Sequence, residues 1–256
     1  MQKEQTRIQS DGKIFEGIVS VRTIVGAMEK KSGNDRRIEK IFLTRERAAK
    51  NAKEYAWLLH RAEELGFETE IAEQEYIDAL ATGNSHGGLI CRCSERTFRD
   101  VPDEPDFRFA VMLDGIEDPY NFGYALRSVY GAGADAVILP ERNWMEAGGI
   151  VCRASAGASE LLDIYVSDPE AAVKKLKNVG MKIVCADLRD SVSIYDAGLK
   201  YPLLLVVGGE KRGISRSVLS QSDVNVRIPY GREFEASLSA ASATAIAAFE
   251  IMRQNL

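Results

Sequence analysis

Three segments of this 256-residue chain place glycines, hydroxyls and a carboxylate or amide next to apolar runs. The first, LDGIEDPYNFGYALR, covers residues 113–127; the second, VGGEKRGIS, covers 207–215; the third joins IPYG at 228–231 to SLS at 237–239. Short apolar runs are typical of buried strands, and open α/β sheets bind ligands just beyond the carboxyl ends of such strands. The three segments therefore predict one ligand site built from distant parts of the chain.

The first segment predicts a helix that begins close to this ligand edge. Asp118 is a natural N-cap and Pro119 suits the first helical turn, so the helix is expected over 119–131. Arg127 lies beside the predicted core face, which is formed by Phe122, Leu126, Val129 and Tyr130. From the helix alone, Arg127 is either a surface cation that pairs with a carboxylate or a group that points into a cleft.

The second and third segments each allow a structural and a functional interpretation. The glycines at 208 and 209 suit a tight turn, and they equally let backbone approach a ligand, but a turn alone does not explain the carboxylate of Glu210. Ser237 is expected as an ordinary N-cap of a helix over 237–253. That helix is small or apolar on nearly every side, so it must be buried nearly all round, partly by the fold and partly by a partner subunit.

In their order along the chain, the three segments resemble the signature motifs of the SpoU/TrmH family of RNA 2′-O-ribose methyltransferases. The segment RASAGA at 153–158 is also typical of that family. The resemblance implies transfer of a methyl group from S-adenosyl-L-methionine to a ribose 2′-hydroxyl of rRNA or tRNA, without a metal. It also implies a homodimer with sites at the subunit interface, and a C-terminal parallel-sheet SPOUT domain that contains a trefoil knot.

The resemblance assigns roles to particular residues. Arg127 is expected to bind an RNA phosphate and to orient or activate the hydroxyl, because an arginine with a pKa above about 12 is a poor base. The residues expected to complete the catalytic site are Asn121, Glu210, Ser237 and Ser239. Those expected to hold the cofactor through their backbone are Gly208, Gly209, Ile228 and Leu238.

The chain departs from the family pattern at two places. Ser239 stands where the family usually has asparagine, and the interval from Pro229 to Leu238 is about one residue longer than usual. A hydroxyl donates and accepts hydrogen bonds but reaches less far than an amide. The alternative function is therefore a catalytically inactive family member that binds RNA or cofactor.

Hydrophobic periodicity predicts an α/β protein with two domains, at 12–95 and 106–256, joined by a segment without periodicity. The first resembles the ribosomal-protein-like RNA-binding domain that precedes many SpoU/TrmH catalytic domains. Its predicted helices cover 16–30, 48–65 and 73–81, and its strands 38–44, 67–72 and 88–93. In the second, strands are predicted at 109–113, 136–139, 161–166, 182–185, 203–207 and 224–228, and helices at 119–131, 148–156, 169–179, 214–219 and 237–253. This alternation predicts a parallel sheet covered on both faces.

The net charge and its distribution along the chain bear on whether the protein binds RNA. The net charge of −5 argues mildly against nucleic acid, but residues 1–100 hold 17 basic and 17 acidic side chains, so all the acidic excess lies in the second half. One basic loop in the first half is predicted to contact RNA phosphates through Lys30, Lys31, Arg36 and Arg37. A solvated loop is the alternative interpretation.

The remaining features exclude several classes of protein. The four cysteines, Cys91, Cys93, Cys152 and Cys185, lack the spacing of a zinc site and are expected to be buried thiols. The chain has neither a membrane-spanning run nor the apolar run of a signal peptide, so a cytoplasmic protein is expected. Because no Gly-x-Gly-x-x-Gly follows a predicted strand, a nucleotide-dependent oxidoreductase is not favoured.

Overall fold

The computed structural model describes residues 13–30, 33–83, 86–233 and 235–256, which form two β-sheets. The first has the strand order β1-β4-β2-β3, in which β4 pairs antiparallel with β1 and β2, and β2 pairs parallel with β3. Its elements are β1 (Lys13–Glu16), α1 (Gly17–Lys30), β2 (Ile38–Leu43), α2 (Arg45–Lys50), α3 (Ala52–Leu65), β3 (Glu68–Ile71), α4 (Gln74–Leu80) and β4 (Leu89–Cys93).

The N-terminal unit follows the predicted pattern with two differences. The four-residue strand β1 was not predicted, because so short a run shows no clear period. The helix predicted over 48–65 is divided at Asn51, whose φ of −120° and ψ of 54° are not helical. It begins earlier than predicted because the Thr44 side chain accepts a hydrogen bond from the Arg47 N–H and caps α2.

The second sheet has seven strands in the order β7-β6-β5-β10-β8-β11-β9, and every pair is parallel. Its strands are β5 (Phe109–Asp114), β6 (Ala136–Leu139), β7 (Asp163–Val166), β8 (Lys182–Ala186), β9 (Ser191–Ser193), β10 (Leu203–Gly208) and β11 (Val224–Arg227). Its helices are α5 (Pro119–Gly131), α6 (Gly148–Ala154), α7 (Ala158–Leu161), α8 (Pro169–Asn178), α9 (Arg216–Leu219) and α10 (Ala240–Gln254), with a 3-10 turn at Met145–Ala147.

Both faces of this sheet are covered, as predicted. Along β5 the odd-numbered residues, such as Val111, pack with residues of α5 and α10, while Ala110 and Met112 pack with residues of α8. The predicted strand at 161–166 begins at Asp163, because 158–161 is helical. The three-residue strand β9 was not predicted, since SVS contains a single apolar residue.

The strand order reverses between β5 and β10. From β5 the chain adds β6 and β7 on one side, whereas β8 and β11 lie on the other side, beyond β10. The segments that follow β5 and β10 are two of the three recognised in the sequence, and they therefore meet at the point where parallel sheets bind ligands. The trefoil knot stays a prediction.

The two sheets are joined through a packed junction rather than a free tether. Gly149 of α6 lies so close to the carbonyl oxygen of Ile14 in β1 that any side chain would overlap it. Arg153, the first residue of the RASAGA segment, pairs with Glu16 at 2.5 Å. The connecting segment also packs, because Arg96 donates to the carbonyl oxygens of Ser159 and Leu162.

Arg36 is the main correction to the predicted RNA-binding loop. Its side chain is 1% exposed, and its Nε lies 3.0 Å from Oε2 of the fully buried Glu160. Asn34 also donates to Glu160, at 2.9 Å. Arg36 therefore neutralises a buried carboxylate of the second unit, and the prediction that it contacts RNA is wrong. Lys30 and Arg37 are exposed, and Lys31 lies outside the described residues.

Replacing Arg36 by alanine is expected to lower the free energy of unfolding by about 3–5 kcal/mol, because Glu160 would remain buried without a counter-charge. Urea denaturation measures this value. The matched control is Arg37→Ala, an exposed neighbour, for which a change within about 0.5 kcal/mol is expected. The double variant R36L/E160L should lose less unfolding free energy than R36A, because it leaves no unpaired charge buried. Equal midpoints for R36A and R37A would contradict the assignment.

Candidate active site

The backbone after β5 and the backbone after β10 lie in direct contact. The Gly209 N–H donates to the Asp114 carbonyl oxygen at 2.8 Å, and a Cβ on Gly209 would overlap the carbonyl oxygen of Gly115. A Cβ on Gly208 would overlap the backbone of Gly213 in the same way. The two glycines thus allow a close approach between segments of the protein's own backbone, which agrees with the structural interpretation of these glycines, and their contact with a ligand stays a prediction.

Glu210 joins the three segments. Its Oε1 accepts a hydrogen bond from the Ala240 N–H at 3.0 Å and lies 3.4 Å from Nδ2 of Asn121. Ala240 is the first residue of α10, where a carboxylate interacts favourably with the helix dipole. The Glu210 carboxylate, which a tight turn alone does not explain, therefore fixes the start of α10 relative to the start of α5.

The start of α10 differs from the prediction. The N-cap is Ser239, whose Oγ accepts from the Ser242 N–H at 3.2 Å, so the prediction that Ser237 caps this helix is wrong. Residues 237–239 precede the helix because Glu210 binds the N–H of Ala240. Serine is among the preferred N-cap residues, so Ser239 is well suited to this position.

A cavity of about 230 Å³ opens beside these contacts, at the carboxyl edge of the sheet. It is lined by the predicted residues Gly208, Gly209, Glu210, Ile228, Ser237 and Leu238. Most of the remaining wall is apolar and comes from β8, β10, β11 and α10, including Val207, Val226, Ala243 and Ala247. Residues of the second and third segments thus line one cavity, whereas Asn121, Arg127 and Ser239 are not part of its lining.

Several residues of the cavity were not predicted. The Tyr230 hydroxyl accepts from the Leu238 N–H at 3.0 Å, which links the two halves of the third segment. Asp187 and Leu188 enter the cavity from the end of β8. The rule that ligands lie beyond the carboxyl ends of strands was sufficient to include them, because both follow the apolar run at 182–186.

Arg127 is the one predicted catalytic residue that the fold of a single chain does not bring to the others. It is exposed on α5 and forms no hydrogen bond or ion pair with another residue in the described part of the chain. It follows Asn121 by six positions, which places it about 120° further round the helix. Tyr120 and Tyr124 flank it on the same side and are 44% and 49% exposed.

The exposed side of α5 continues onto α10. Phe249 of α10 is 44% exposed and lies close to Gly131 of α5, and Ser242 and Arg253 are exposed on the same helix. The fold of a single chain therefore buries only part of α10, and the prediction that a partner subunit covers the rest stays a prediction. Tyr130, predicted in the core face of α5, is 43% exposed as well. Together these residues form an uncovered aromatic face.

The environment of the site affects ionisable groups nearby. Burial raises the pKa of the Asp114 carboxyl at the end of β5, and the Ser215 N–H at 3.4 Å opposes that rise. Burial also raises the pKa of the Cys185 thiol, on β8, to about 11, so this thiol is neutral near pH 7. All four cysteines are buried and free, as predicted, and belong to the core.

Comparison with known proteins places the family match on the seven-stranded sheet and its helices. Residues 108–249 match the model of the SpoU rRNA Methylase family. The chain is 31% identical over 207 residues to a 23S rRNA (guanosine-2′-O-)-methyltransferase RlmB of Burkholderia sp, covering 77% of this chain and 82% of that protein. It is 29% identical over 225 residues to RlmB of Escherichia coli strain K12, covering 85% and 91%.

Solved structures agree in fold. The SpoU methyltransferase AviRb from Streptomyces viridochromogenes, in complex with the cofactor AdoMet, superposes with a TM-score of 0.78 at 20% identity, covering 99% of this chain and 94% of that one. An AdoMet-bound rRNA methyltransferase from Sinorhizobium meliloti gives 0.77 at 20% identity, covering 96% and 88%. At these identities the likeness concerns the fold alone.

Fold, site and relatives define the class as S-adenosyl-L-methionine-dependent RNA 2′-O-methyltransferases. The chain belongs to the SpoU rRNA methylase family, as its three segments predicted.

The residues of the cavity fit the cofactor chemically. Its apolar wall suits an adenine ring, since small-molecule sites are mostly apolar with a few placed polar groups. The carboxylates of Asp187 and Glu210 lie in the same wall and suit hydroxyl, amino or sulfonium groups. Backbone at Gly208, Ile228 and Leu238 completes the lining at the predicted positions.

Replacing Gly209 by alanine is expected to separate the two segments, because the added methyl group overlaps the Gly115 carbonyl oxygen. We expect a loss of about 1–3 kcal/mol in unfolding free energy, with weaker cofactor binding. Denaturation and calorimetric titration with S-adenosylmethionine measure the two effects. Gly26→Ala is the control, since its Cβ meets nothing within 4 Å in α1, and it should gain about 0.5–1 kcal/mol. Normal cofactor affinity in G209A would refute the packing argument.

Proposed function

We propose that this enzyme methylates the ribose 2′-hydroxyl of a guanosine in 23S rRNA. The observation that carries this substrate is the extent of the likeness, because the RlmB proteins match 77–85% of the chain and therefore both of its sheets. Two solved structures whose names refer to tRNA, one of them a TrmH/SpoU tRNA modifying enzyme from A. aeolicus, cover 57% of it, with TM-scores of 0.50–0.52. Ribosomal RNA is therefore favoured over tRNA.

The chemistry asks two things of the protein, since a ribose hydroxyl is a weak nucleophile. It must align the hydroxyl with the methyl group, and it must favour loss of the hydroxyl proton as the new bond forms. When bound, S-adenosylmethionine supplies an electrophilic methyl group on a sulfonium. Glu210 and Ser237 line the cavity, and Nδ2 of Asn121 lies 3.4 Å from Oε1 of Glu210, so we assign these three residues to the side where the hydroxyl would enter.

We assign orientation and activation of the hydroxyl to Arg127. A guanidinium binds a phosphate through two parallel hydrogen bonds, which fixes the neighbouring ribose in direction as well as distance. Arginine keeps its proton at neutral pH, so Arg127 acts as a positive charge that lowers the pKa of the nearby hydroxyl, and not as a base.

We further propose a homodimer in which Arg127 serves the site of the partner chain. Its position on the uncovered aromatic face, away from Asn121, supports this arrangement. A second copy on that face would cover Tyr120, Tyr124 and Phe249, and aromatic residues are enriched at the cores of interfaces. The inactive alternative rests on Ser239, which caps α10 in this chain, and the methylation assay decides between the two.

RNA capture is assigned to the N-terminal unit, 12–95, and methyl transfer to 106–256. Lys30 and Arg37 are the exposed cations of the predicted basic loop that remain candidates for phosphate contact. No helix in the described ranges is long and apolar enough to cross a membrane. We place the enzyme in the cytoplasm, where ribosomal RNA is found.

The function is tested by transfer of tritium from labelled S-adenosylmethionine to 23S rRNA, 16S rRNA and total tRNA, followed by nucleoside mapping. We expect label in 2′-O-methylguanosine of 23S rRNA. Arg127→Ala should lower turnover at least about 100-fold, with cofactor affinity within a few-fold, because Arg127 is placed on the RNA side. Label confined to tRNA would overturn the substrate. Cofactor binding without label in any RNA would establish the inactive alternative.

The shared site is tested by mixing two inactive variants, Arg127→Ala and Glu210→Gln, after unfolding and refolding together. If Arg127 acts across the interface, half of the mixed dimer's sites carry neither change, and activity should recover to about a quarter of wild type. If each site is built from one chain, every site carries one change and the mixture stays inactive. Refolded wild-type protein is the control.

A further inference from the structure

A second cleft lies beside the cofactor cavity and shares no lining residue with it. Its volume is about 920 Å³, and it is formed by 115–117 after β5, the loop 142–147 and two residues of the turn after β10. That turn contributes Gly208, Gly209, Glu210 and Gly213 to the cofactor cavity and Lys211 and Arg212 to the cleft. The turn therefore lies between the two cavities, which places the cleft next to the predicted cofactor site.

The cleft holds positive charge that the protein does not neutralise. Arg142 and Arg212 are exposed and form no ion pair or hydrogen bond with another residue of the described ranges. Lys211 is paired with Glu117 at 2.5 Å, and Glu146 is the remaining carboxylate of the lining. Two unpaired guanidinium groups beside the active site, in a chain of net charge −5, favour an anionic ligand.

Trp144 gives the cleft a fixed aromatic wall. Its Nε1 donates to the Ile116 carbonyl oxygen at 2.9 Å, so its only polar atom is already satisfied. Asn143 holds the loop, because its side chain accepts from the Met145 N–H at 2.9 Å and donates to the Pro140 carbonyl oxygen at 2.9 Å. The partly exposed indole therefore offers the cleft a held ring surface and no further hydrogen bond.

We propose that this cleft binds the nucleotide next to the target ribose, with its phosphate on Arg142 and Arg212 and its base stacked on Trp144. The proposal rests on the proposed function, since it deepens the RNA side of that same site. Stacking on an aromatic side chain requires a base that is not held in a duplex. The ligand is thus single-stranded RNA, and the methylated nucleotide lies beside an unpaired one.

Binding is measured independently of catalysis through the fluorescence of Trp144. The chain has two tryptophans, so Trp57→Phe leaves Trp144 as the single reporter. Titration with a single-stranded oligoribonucleotide should quench this fluorescence, and the same sequence in a duplex should not. R142Q/R212Q in this background should weaken binding about tenfold and reduce its salt slope by about 0.7 per lost contact.

The control R99Q/K174Q removes the same charge from exposed residues that do not line the cleft. Lys174 lies on α8, which covers the opposite face of the sheet from α5. With the rRNA substrate, R142Q/R212Q should raise the KM for RNA about tenfold and leave cofactor affinity unchanged, whereas the control should change neither.

The outcomes separate this inference from the proposed function. Quenching by single-stranded RNA without methylation of any RNA would refute the proposed methyl transfer and support the proposal that the cleft binds RNA. Methylation of rRNA without quenching, or with equal effects of R142Q/R212Q and the control, would refute the cleft and keep the function. Equal quenching by duplex RNA would overturn the stacking on Trp144.

Discussion

The close contact between the backbone after β5 and the backbone after β10 is the constraint on which the rest of the site depends. It exists because Gly209 has no side chain to overlap the Gly115 carbonyl oxygen. The contact holds Asp114 and Gly209 together by a hydrogen bond and brings Glu210 within reach of Asn121 and the first N–H of α10. The absence of a Cβ at Gly209 thus permits the contact that sets the relative position of the three segments.

The turn at 208–213 also separates two cavities. Residues 208–210 and 213 line a mostly apolar cavity, whereas 211 and 212 line a cationic cleft. This separation suits methyl transfer, because the donor and the acceptor must meet at one bond without occupying the same space. Glu210 lines the apolar cavity, and its Oε1 lies 3.4 Å from Nδ2 of Asn121.

Local patterns predicted local structure well and contacts between distant residues poorly. The strand ends and glycines of the three segments located the cavity, because such patterns follow from neighbouring residues. Arg36 looked like a surface cation, since nothing near it in the sequence shows Glu160, 124 positions away. Ser239 was preferred over Ser237 as a cap because Glu210, from another segment, fixes the helix start. Tyr130 and Phe249 had apolar character that fitted a core equally well as an uncovered face.

The buried pair of Arg36 and Glu160 has a consequence for substrate choice. Together with the contact of Gly149 with Ile14 and the pair of Arg153 and Glu16, it locks the N-terminal unit onto the catalytic one. A surface that grips RNA on the first unit would then stand at a set distance from the methyl donor in the second. The folded shape of the RNA would then decide which ribose reaches the methyl donor, because only an RNA that spans this fixed distance can contact both units at once.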